Sequence, residues 1–330
     1  MAYFSLIIPV FNRPDEVNEL LESLTKQHCK DFEVIIVEDG SQVPCDAVVK
    51  SYSDRLDIHY YNKPNSGPGQ SRNYGAERAS GEYLIVLDSD CIIPEGYLDA
   101  VKAELNACEA DAFGGPDRAH ESFTDIQKAI NYAMTSFFTT GGIRGGKKKL
   151  DKFYPRSFNM GIKADVYKAL GGFSKMRFGE DIDFSIRIFK GGYRCRLFPE
   201  AWVWHKRRTD LRKFFKQVHN SGIARINLYK KYPESLKLVH MLPAVFTIGV
   251  VLLLLGTPFI PAFSSLIGLF ILIVFIDSSL QNKSIKIGAL SVVASFVQLI
   301  GYGTGFLRAW WQRCVLRKDE FEAFKNSFYK

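Results

Sequence analysis

The sequence predicts an α/β fold, a mostly parallel sheet with helices on both faces, followed by C-terminal apolar helices. Three observations predict it. Short β-rich runs alternate with helix-period segments through residues 1–115. Asn and Asp recur where those runs end, at Asn12, Asp39, Asp88 and Asp90. Residues 241–276 and 287–307 contain no Asp, Glu, Lys or Arg, and a membrane-crossing helix needs about 20 such residues.

The elements follow in order. Phe4–Val10 reads as a strand closed by Asn12-Arg13-Pro14, and Pro14–Gln27 repeats Val17, Leu20, Leu21 and Leu24 at a helical period. Phe32–Val37 is a second strand, closed by Glu38-Asp39-Gly40-Ser41. A weaker helix and the strand Ile58–Tyr61 come next, then a helix over Gly69–Ala79 opened by Asn65-Ser66-Gly67-Pro68. Tyr83–Leu87 is a continuous apolar strand ending in Asp88-Ser89-Asp90. Gly96–Ala107 reads as helix and Ala110–Gly114 as strand. In open sheets of this kind, ligands bind at the carboxyl ends of the strands, where the four polar clusters fall.

Residues 116–238 are less regular. The pattern predicts a helix over Ile126–Thr139, a strand over Arg156–Lys163, a helix from an acidic cap at Asp181 to Lys190, and strands over Arg194–Phe198 and Ala201–His205. Gly141–Gly146 with Lys147, Lys148 and Lys149 reads as a basic loop, either a solvated one or a lid over a ligand. Leu211–Tyr229 reads as a helix that either lies on a membrane surface or packs as an ordinary amphipathic helix.

The expected division is a catalytic domain over 1–238 and a membrane region over 239–330, with spans near 238–256, 262–280 and 285–307. Thr257-Pro258 and Pro261 break the first uncharged run into a hairpin, and Gly288, Gly301, Gly303 and Gly305 suit close helix packing. Three crossings from a cytosolic front place Arg308, Arg313, Arg317 and Lys318 outside, against the positive-inside bias. A re-entrant third segment is the alternative.

The chain has 330 residues, 47% hydrophobic and 24% charged, and a formal net charge of +8. Residues 239–330 hold eight Lys/Arg against four Asp/Glu, a net +4. This mild, dispersed excess suits anionic lipid or phosphate-bearing substrates, and no nucleic-acid motif accompanies it. The six cysteines show no CxxC spacing and no Cys/His zinc cluster, consistent with a reducing compartment. MAYFSLIIPVFN lacks the basic start of a signal peptide. A cytosolic catalytic part on a multi-pass inner (cytoplasmic) membrane protein is the expected placement.

Asp88 and Asp90, one residue apart after a buried strand, can address one divalent cation, and hard cations such as Mg²⁺ or Mn²⁺ prefer oxygen ligands and phosphate. The segments SLIIPVFNRPDEVNELLESL, FEVIIVEDGS, GPGQSRNYGAERASGEYLIVLDSD and GEDIDFSIRIFKGGYR, in this order, resemble an inverting glycosyltransferase of family 2 with the GT-A fold, as found in membrane-anchored bacterial members. The likeness spreads over residues 4–194.

The resemblance implies residue roles. Pro9, Val10 and Asn12 fall where the family cradles the base and ribose, and Glu16 where a carboxylate approaches the nucleoside. Asp39 matches the residue that accepts from the base imide, usually uracil, and Arg72 and Asn73 lie in a nucleotide-side stretch. Asp88 matches the position near ribose and metal, and Asp90 the direct metal ligand. Asp181 of Glu180-Asp181 matches the catalytic base, a role worth about 10²–10⁴-fold when well placed. His205 either completes the metal site or simply ends its strand; Arg207 and Arg208 hold phosphate or face lipid; Trp202 and Trp204 stack on sugars or pack in the core. Phe158–Gly161 resembles an acceptor-side strand before the turn Gly171-Gly172-Phe173.

The QxxRW motif of processive synthases is missing from QVHNSGIARINLY. The implied activity is therefore metal-dependent, inverting, non-processive transfer of one sugar from a nucleotide-diphosphate sugar, UDP-linked by expectation. The acceptor would be lipid-linked or a surface glycan, and membrane lipids the other partners. The alternatives are a polyprenyl-phosphate monoglycosyltransferase, a sugar-phosphate nucleotidyltransferase and a non-enzymatic scaffold.

Overall fold

The structure is a computed structural model that describes residues 2–118, 120, 122–141 and 153–321. Contacts divide these residues into two compact units, one holding 2–120 and 153–205, the other 122–141 and 206–321.

In the first unit, β1 (Phe4–Val10), β2 (Phe32–Asp39), β3 (Ile58–Lys63) and β4 (Tyr83–Leu87) pair in parallel. Helices α1 (Pro14–Thr25), α2 (Asp46–Lys50) and α3 (Pro68–Ala76) connect them. Beyond β4 come β5 (Cys91–Ile92), α4 (Tyr97–Ala107), β6 (Ala112–Gly114) and β7 (Asp117–Arg118). After the chain returns from the second unit it forms β8 (Asn159–Lys163), two helices, Ala164–Ala169 and Glu180–Lys190, then β9 (Cys195–Leu197) and β10 (Val203–His205).

Among the described residues the main sheet has seven strands in the order β3-β2-β1-β4-β8-β6-β9, and a small sheet runs β5-β10-β7. β8 lies antiparallel between β4 and β6. The two-residue period is visible in the core. Leu6, Ile8, Ile85 and Leu87 bury against α1 and α4 on one face, while Ile7, Leu84 and Val86 bury with Tyr167, Phe173 and Phe184 on the other. With both faces covered, the carboxyl edge of β1, β2 and β4 is the place left for a ligand. Val10 pairs with Glu38 and Ile7 with Val86, which sets the ends of these strands along one edge.

The second unit is helical: α5 (Asp125–Thr135), α6 (Phe137–Thr140) and, after α7 (Ala164–Ala169) and α8 (Glu180–Lys190) of the first unit, α9 (Leu211–Lys231), α10 (Leu242–Gly256), α11 (Phe263–Asn282) and α12 (Ile285–Trp310). The single helix expected over Ile126–Thr139 breaks at Ser136, whose hydroxyl caps α6. Ala129, Ile130, Ala133 and Met134 of α5 bury with Phe214, Val218, Ile287 and Ala294. The packing therefore divides elsewhere than at residue 238, because α5 and α9 turn their apolar faces to α12. α9 packs one face, with Phe214 and Val218, and leaves Arg212, Lys213 and Lys216 exposed on another.

The glycines of α12 allow this. A Cβ at Gly301 would press on Val218, one at Gly303 on Thr247, and one at Gly305 on the His219 carbonyl. Among the described residues two helices, Phe263–Asn282 and Ile285–Val315, are long and apolar enough to cross a membrane. The third expected span, α10, has 15 residues, about 22 Å at 1.5 Å per residue.

Candidate functional site

β1, β2 and β4 bring the polar clusters to one edge, as the alternating pattern requires. Asp88 and Asp90 follow β4, and β10 brings His205 across: its Nε2 lies 3.1 Å from Asp90 Oδ1 and 3.9 Å from Asp88 Oδ2. Phe158 stacks on the imidazole, with centroids 4.9 Å apart and planes at 22°. His205 Nδ1 is buried without a hydrogen-bond partner. Two carboxylates and an imidazole whose Nε2 faces them suit a divalent cation. Cys91 also lies near, paired across the strands with His205. Its buried thiol faces the Phe158 carbonyl at 3.6 Å, and burial holds its pKa well above the ordinary thiol value, so oxygen and imidazole make the better ligand set for Mg²⁺ or Mn²⁺.

Four of the site carboxylates, Asp88, Asp90, Glu180 and Asp181, are held by arginines. Arg13 pairs with Asp90, and Arg156 with Asp181. Arg72, 3% exposed, donates to Asp88 Oδ1 at 2.8 Å and to Glu180 Oε1 at 2.9 Å. The sequence reading missed Arg13 and Arg156. Arg13 sits inside the strand-end cluster Asn12-Arg13-Pro14, which was a visible cue, whereas Arg156 meets Asp181 only through the tertiary fold.

Glu180 and Asp181 begin α8, and the cap is Gly179 rather than the expected Asp181. Gly179 has φ 84°, a left-handed turn that a side chain rarely adopts. It delivers two adjacent carboxyls into a buried site, where they diverge. Burial and the neighbouring charge of Asp181 push Glu180 up to about 7, against the pull of Arg72. Burial opposes ionisation of Asp181 too, but the charge and hydrogen bond of Arg156 and the amide of Ile182 hold its carboxyl below the usual range. One carboxyl is therefore readily protonated and the other stays ionised.

Other expected site residues prove to be occupied with neighbours. Asn12, left-handed at φ 54°, uses its side-chain oxygen on the amides of Gln42 and Val43, at 2.7 and 3.1 Å. It ties the β1 loop to the β2 loop. Asn73 accepts from Tyr167 and from the Phe173 amide, and donates to the Phe173 carbonyl at 2.9 Å, clamping the Gly171-Gly172-Phe173 turn. Asp39 accepts from the Ser66 and Gly67 amides at 2.9 and 2.8 Å and from Lys63. The Val10 side chain is in the core, so only its backbone faces the loop; Pro9 is half-buried, and Glu16 lies on the first turn of α1.

Trp202 receives the Arg118 guanidinium at 4.1 Å and meets Trp204 edge-on at 4.8 Å. In the second unit Arg207 donates to the Asn131 side-chain oxygen at 3.0 and 3.2 Å, so its guanidinium is already held by protein. Lys147, Lys148 and Lys149 lie outside the described residues.

The profile of Glycosyl transferase family 2 matches residues 5–171. An uncharacterised glycosyltransferase of Haemophilus influenzae is 32% identical over 193 residues, 56% of this chain and 62% of that one. Glycosyltransferase AglE of Haloferax volcanii is 24% identical over 255 residues, 76% of this chain and 81% of its own. Among the curated relatives, coverage of their own length is 22% for one from Rickettsia felis and 18% for one from Rickettsia bellii. A mannosyltransferase of Pyrobaculum calidifontis, solved with GDP-Man and Mn²⁺, superposes with a TM-score of 0.63 at 16% identity, covering 89% of this chain and 86% of that one, a likeness of fold. With a parallel GT-A-like sheet, carboxylates gathered at its carboxyl edge and a family profile over half its length, the chain belongs to glycosyltransferase family 2.

Proposed function

We propose that the chain transfers one sugar, with inversion, from a nucleotide-diphosphate sugar to a lipid-linked or surface-glycan acceptor, non-processively and at a membrane. The observation that carries this reading is the gathering of carboxylates at one sheet edge, with Asp88 and Glu180 joined by the buried Arg72, Asp90 facing His205 and Asp181 held by Arg156. In this reading Asp181, kept ionised by Arg156, accepts the proton of the acceptor hydroxyl. The hydroxyl oxygen then bonds to the anomeric carbon from the side opposite the diphosphate, whose bond to that carbon breaks. Arg72, joined to both Asp88 and Glu180, fixes the acid and metal sides of the site relative to each other.

Asp90, Asp88 and His205 would hold Mg²⁺ or Mn²⁺, which supplies positive charge for the departing diphosphate. Arg13 adds a cation of the protein's own beside Asp90. In this reading Pro9, Val10 and Asn12 belong to the nucleoside loop, and Glu16, Asp39, Arg72 and Asn73 to the nucleotide side. The UDP preference rests on the resemblance, which assigns Asp39 as the imide acceptor; its oxygens accept from Ser66, Gly67 and Lys63. The lipid side of the proposal is supported by the exposed apolar faces of α10 and α11, such as Leu252, Leu255 and Leu269.

The test is a panel of UDP- and GDP-sugars with membranes holding the full chain, with and without Mn²⁺, for wild type and Asp181→Asn. Metal-dependent release of UDP from one donor, lost in the variant, is the expected result. Pyrophosphate release would replace the reading with nucleotidyl transfer, and a lipid-phosphate sugar product would identify the acceptor as a polyprenyl phosphate.

A further inference from the structure

The second unit has a geometry that a three-span anchor does not explain. α9 and α12 run side by side in the same direction: Val218 faces Gly301, Gly222 faces Tyr302, and Asn227 accepts from Arg313 at 2.6 Å. At the other end of α12, Lys286 pairs with Asp125 of α5 at 2.8 Å. Tyr132 of α5 donates to Asp277 of α11 at 2.6 Å. From Lys286 to Arg313 is about 40 Å at 1.5 Å per residue, more than the about 30 Å of bilayer hydrocarbon. Along that length α12 is flanked by α5 and α9, and α9 exposes Arg212, Lys213, Lys216, Lys230 and Lys231. A helix so accompanied does not cross hydrocarbon.

The lipid-facing surface is instead on α10 and α11. Their bases sit apart on α12: Gly303 meets Pro243 and Thr247, while Ser291 takes the Ser278 hydroxyl at 2.7 Å. Their far ends converge where Gly256 meets Phe263. The arms expose Leu252, Leu254, Leu255 and Leu266, and Phe259 at the tip is 85% exposed.

Length decides how deep this hairpin goes. α10 has 15 residues, and α11 has 14 from Phe263 to Ile276 before Asp277. Both arms reach about 21–22 Å, which stops short of the far side of about 30 Å of hydrocarbon. The tip is built to stay there. Thr257-Pro258-Phe259-Ile260-Pro261-Ala262 has no charged side chain. Its two prolines lack N–H groups, and the Thr257, Phe259 and Ile260 amides bond back to Leu253 and Gly256 at 2.9–3.0 Å. The cations Lys283 and Lys286 before and at the start of α12, Arg308 and Arg313 at its end, and the exposed Trp310 and Trp311, make a headgroup-level rim around the base.

We infer that the α10–α11 hairpin is a re-entrant wedge seated in one leaflet of an anionic bilayer, with α12 lying in the interfacial plane and both its ends on one side of the membrane. The inference rests on the membrane reading above and removes the charge conflict of three crossings, since every C-terminal cation then stays on one side.

The experiment labels Phe259→Cys, Lys283→Cys and Arg317→Cys of the full chain with a membrane-impermeant maleimide, in sealed right-side-out and inverted vesicles. Peptide mass spectrometry resolves each site from the native cysteines. The expected result is labelling of Lys283→Cys and Arg317→Cys from the same face and of Phe259→Cys from neither, with at least a tenfold gain for all three on detergent addition or vesicle inversion, as the site requires. Labelling of Phe259→Cys from the face opposite Lys283→Cys, or of the latter two from opposite faces, overturns the wedge. Ile260→Cys repeats the tip measurement if the Phe259 variant accumulates poorly. Release of the wild-type chain from vesicles by salt alone overturns the membrane reading itself, a result distinct from wrong-sided labelling.

Discussion

Arg72 donates to Glu180 at 2.9 Å across 108 positions of sequence, and the same guanidinium holds Asp88. It is buried, and one cation thereby joins the strand-end carboxylate to the first turn of α8. Removing it leaves two carboxyls at a buried site without their partner. Arg72→Ala is expected to lower folding stability by about 3–5 kcal/mol, the range for breaking a buried pair from one side. Urea unfolding of wild type, Arg72→Ala and Arg72→Lys checks it; a loss under ~1 kcal/mol for the alanine variant contradicts the bridge.

Asp181→Asn keeps the size of the side chain and removes the base. Transfer is expected to fall by about 10²–10⁴-fold while nucleotide binding, measured by calorimetry, stays within threefold as a rough limit. A variant that loses binding and turnover together assigns Asp181 to the fold instead.

Glu180 has a folded pKa raised to about 7 by burial and by Asp181. The folded chain therefore holds a proton that the unfolded chain releases, and stability falls as pH rises from the ordinary glutamate range toward 7. Asp181 acts in the opposite sense: with its folded pKa lowered, its contribution is present above the unfolded value and lost at more acid pH. Unfolding curves of the chelator-treated chain between pH 4.5 and pH 7 should flatten in Glu180→Gln; an unchanged slope rejects the shift.

Arg13 touches the carboxylate that the resemblance assigns to the metal. In Arg13→Gln, Mn²⁺ should bind more tightly without nucleotide, by about tenfold, the factor for ~1.4 kcal/mol of lost charge-assisted hydrogen bonding. Manganese titration followed by paramagnetic resonance reads this directly. Equal or weaker binding in the variant shows that Arg13 does not compete with the cation.

Gly222→Ala places a methyl group against the Tyr302 carbonyl and the Phe306 amide, backbone atoms that cannot move aside as a side-chain end can. The α9–α12 crossing should lose about 1–3 kcal/mol, as for other overpacked contacts. Thermal unfolding in detergent checks it, with the exposed Ser221→Ala as the neutral neighbour.

Much of the site was legible before the fold. Asp88 and Asp90 sit together at the end of β4, because a strand end fixes which way the next residues can go, and His205, left open between two readings, lies 3.1 Å from Asp90. Asn12 and Asn73 were legible as important but not in kind. Each uses its amide on neighbouring loops, and such bonds depend on segments that only folding brings close. Arg156 illustrates the limit: a single Arg before a strand looks like many others until α8 lies beside it.

By itself the sequence determined the parallel sheet, the strand-end carboxylates and the family, because hydrophobic period and motif spacing are local properties of the chain. It also determined the three apolar C-terminal helices. Only the tertiary structure decided where α5 and α9 belong, which arginine neutralises which carboxylate, and that α12 is a packed central helix. Those outcomes turn on which faces meet, and a periodic face states that it will be buried without naming its partner.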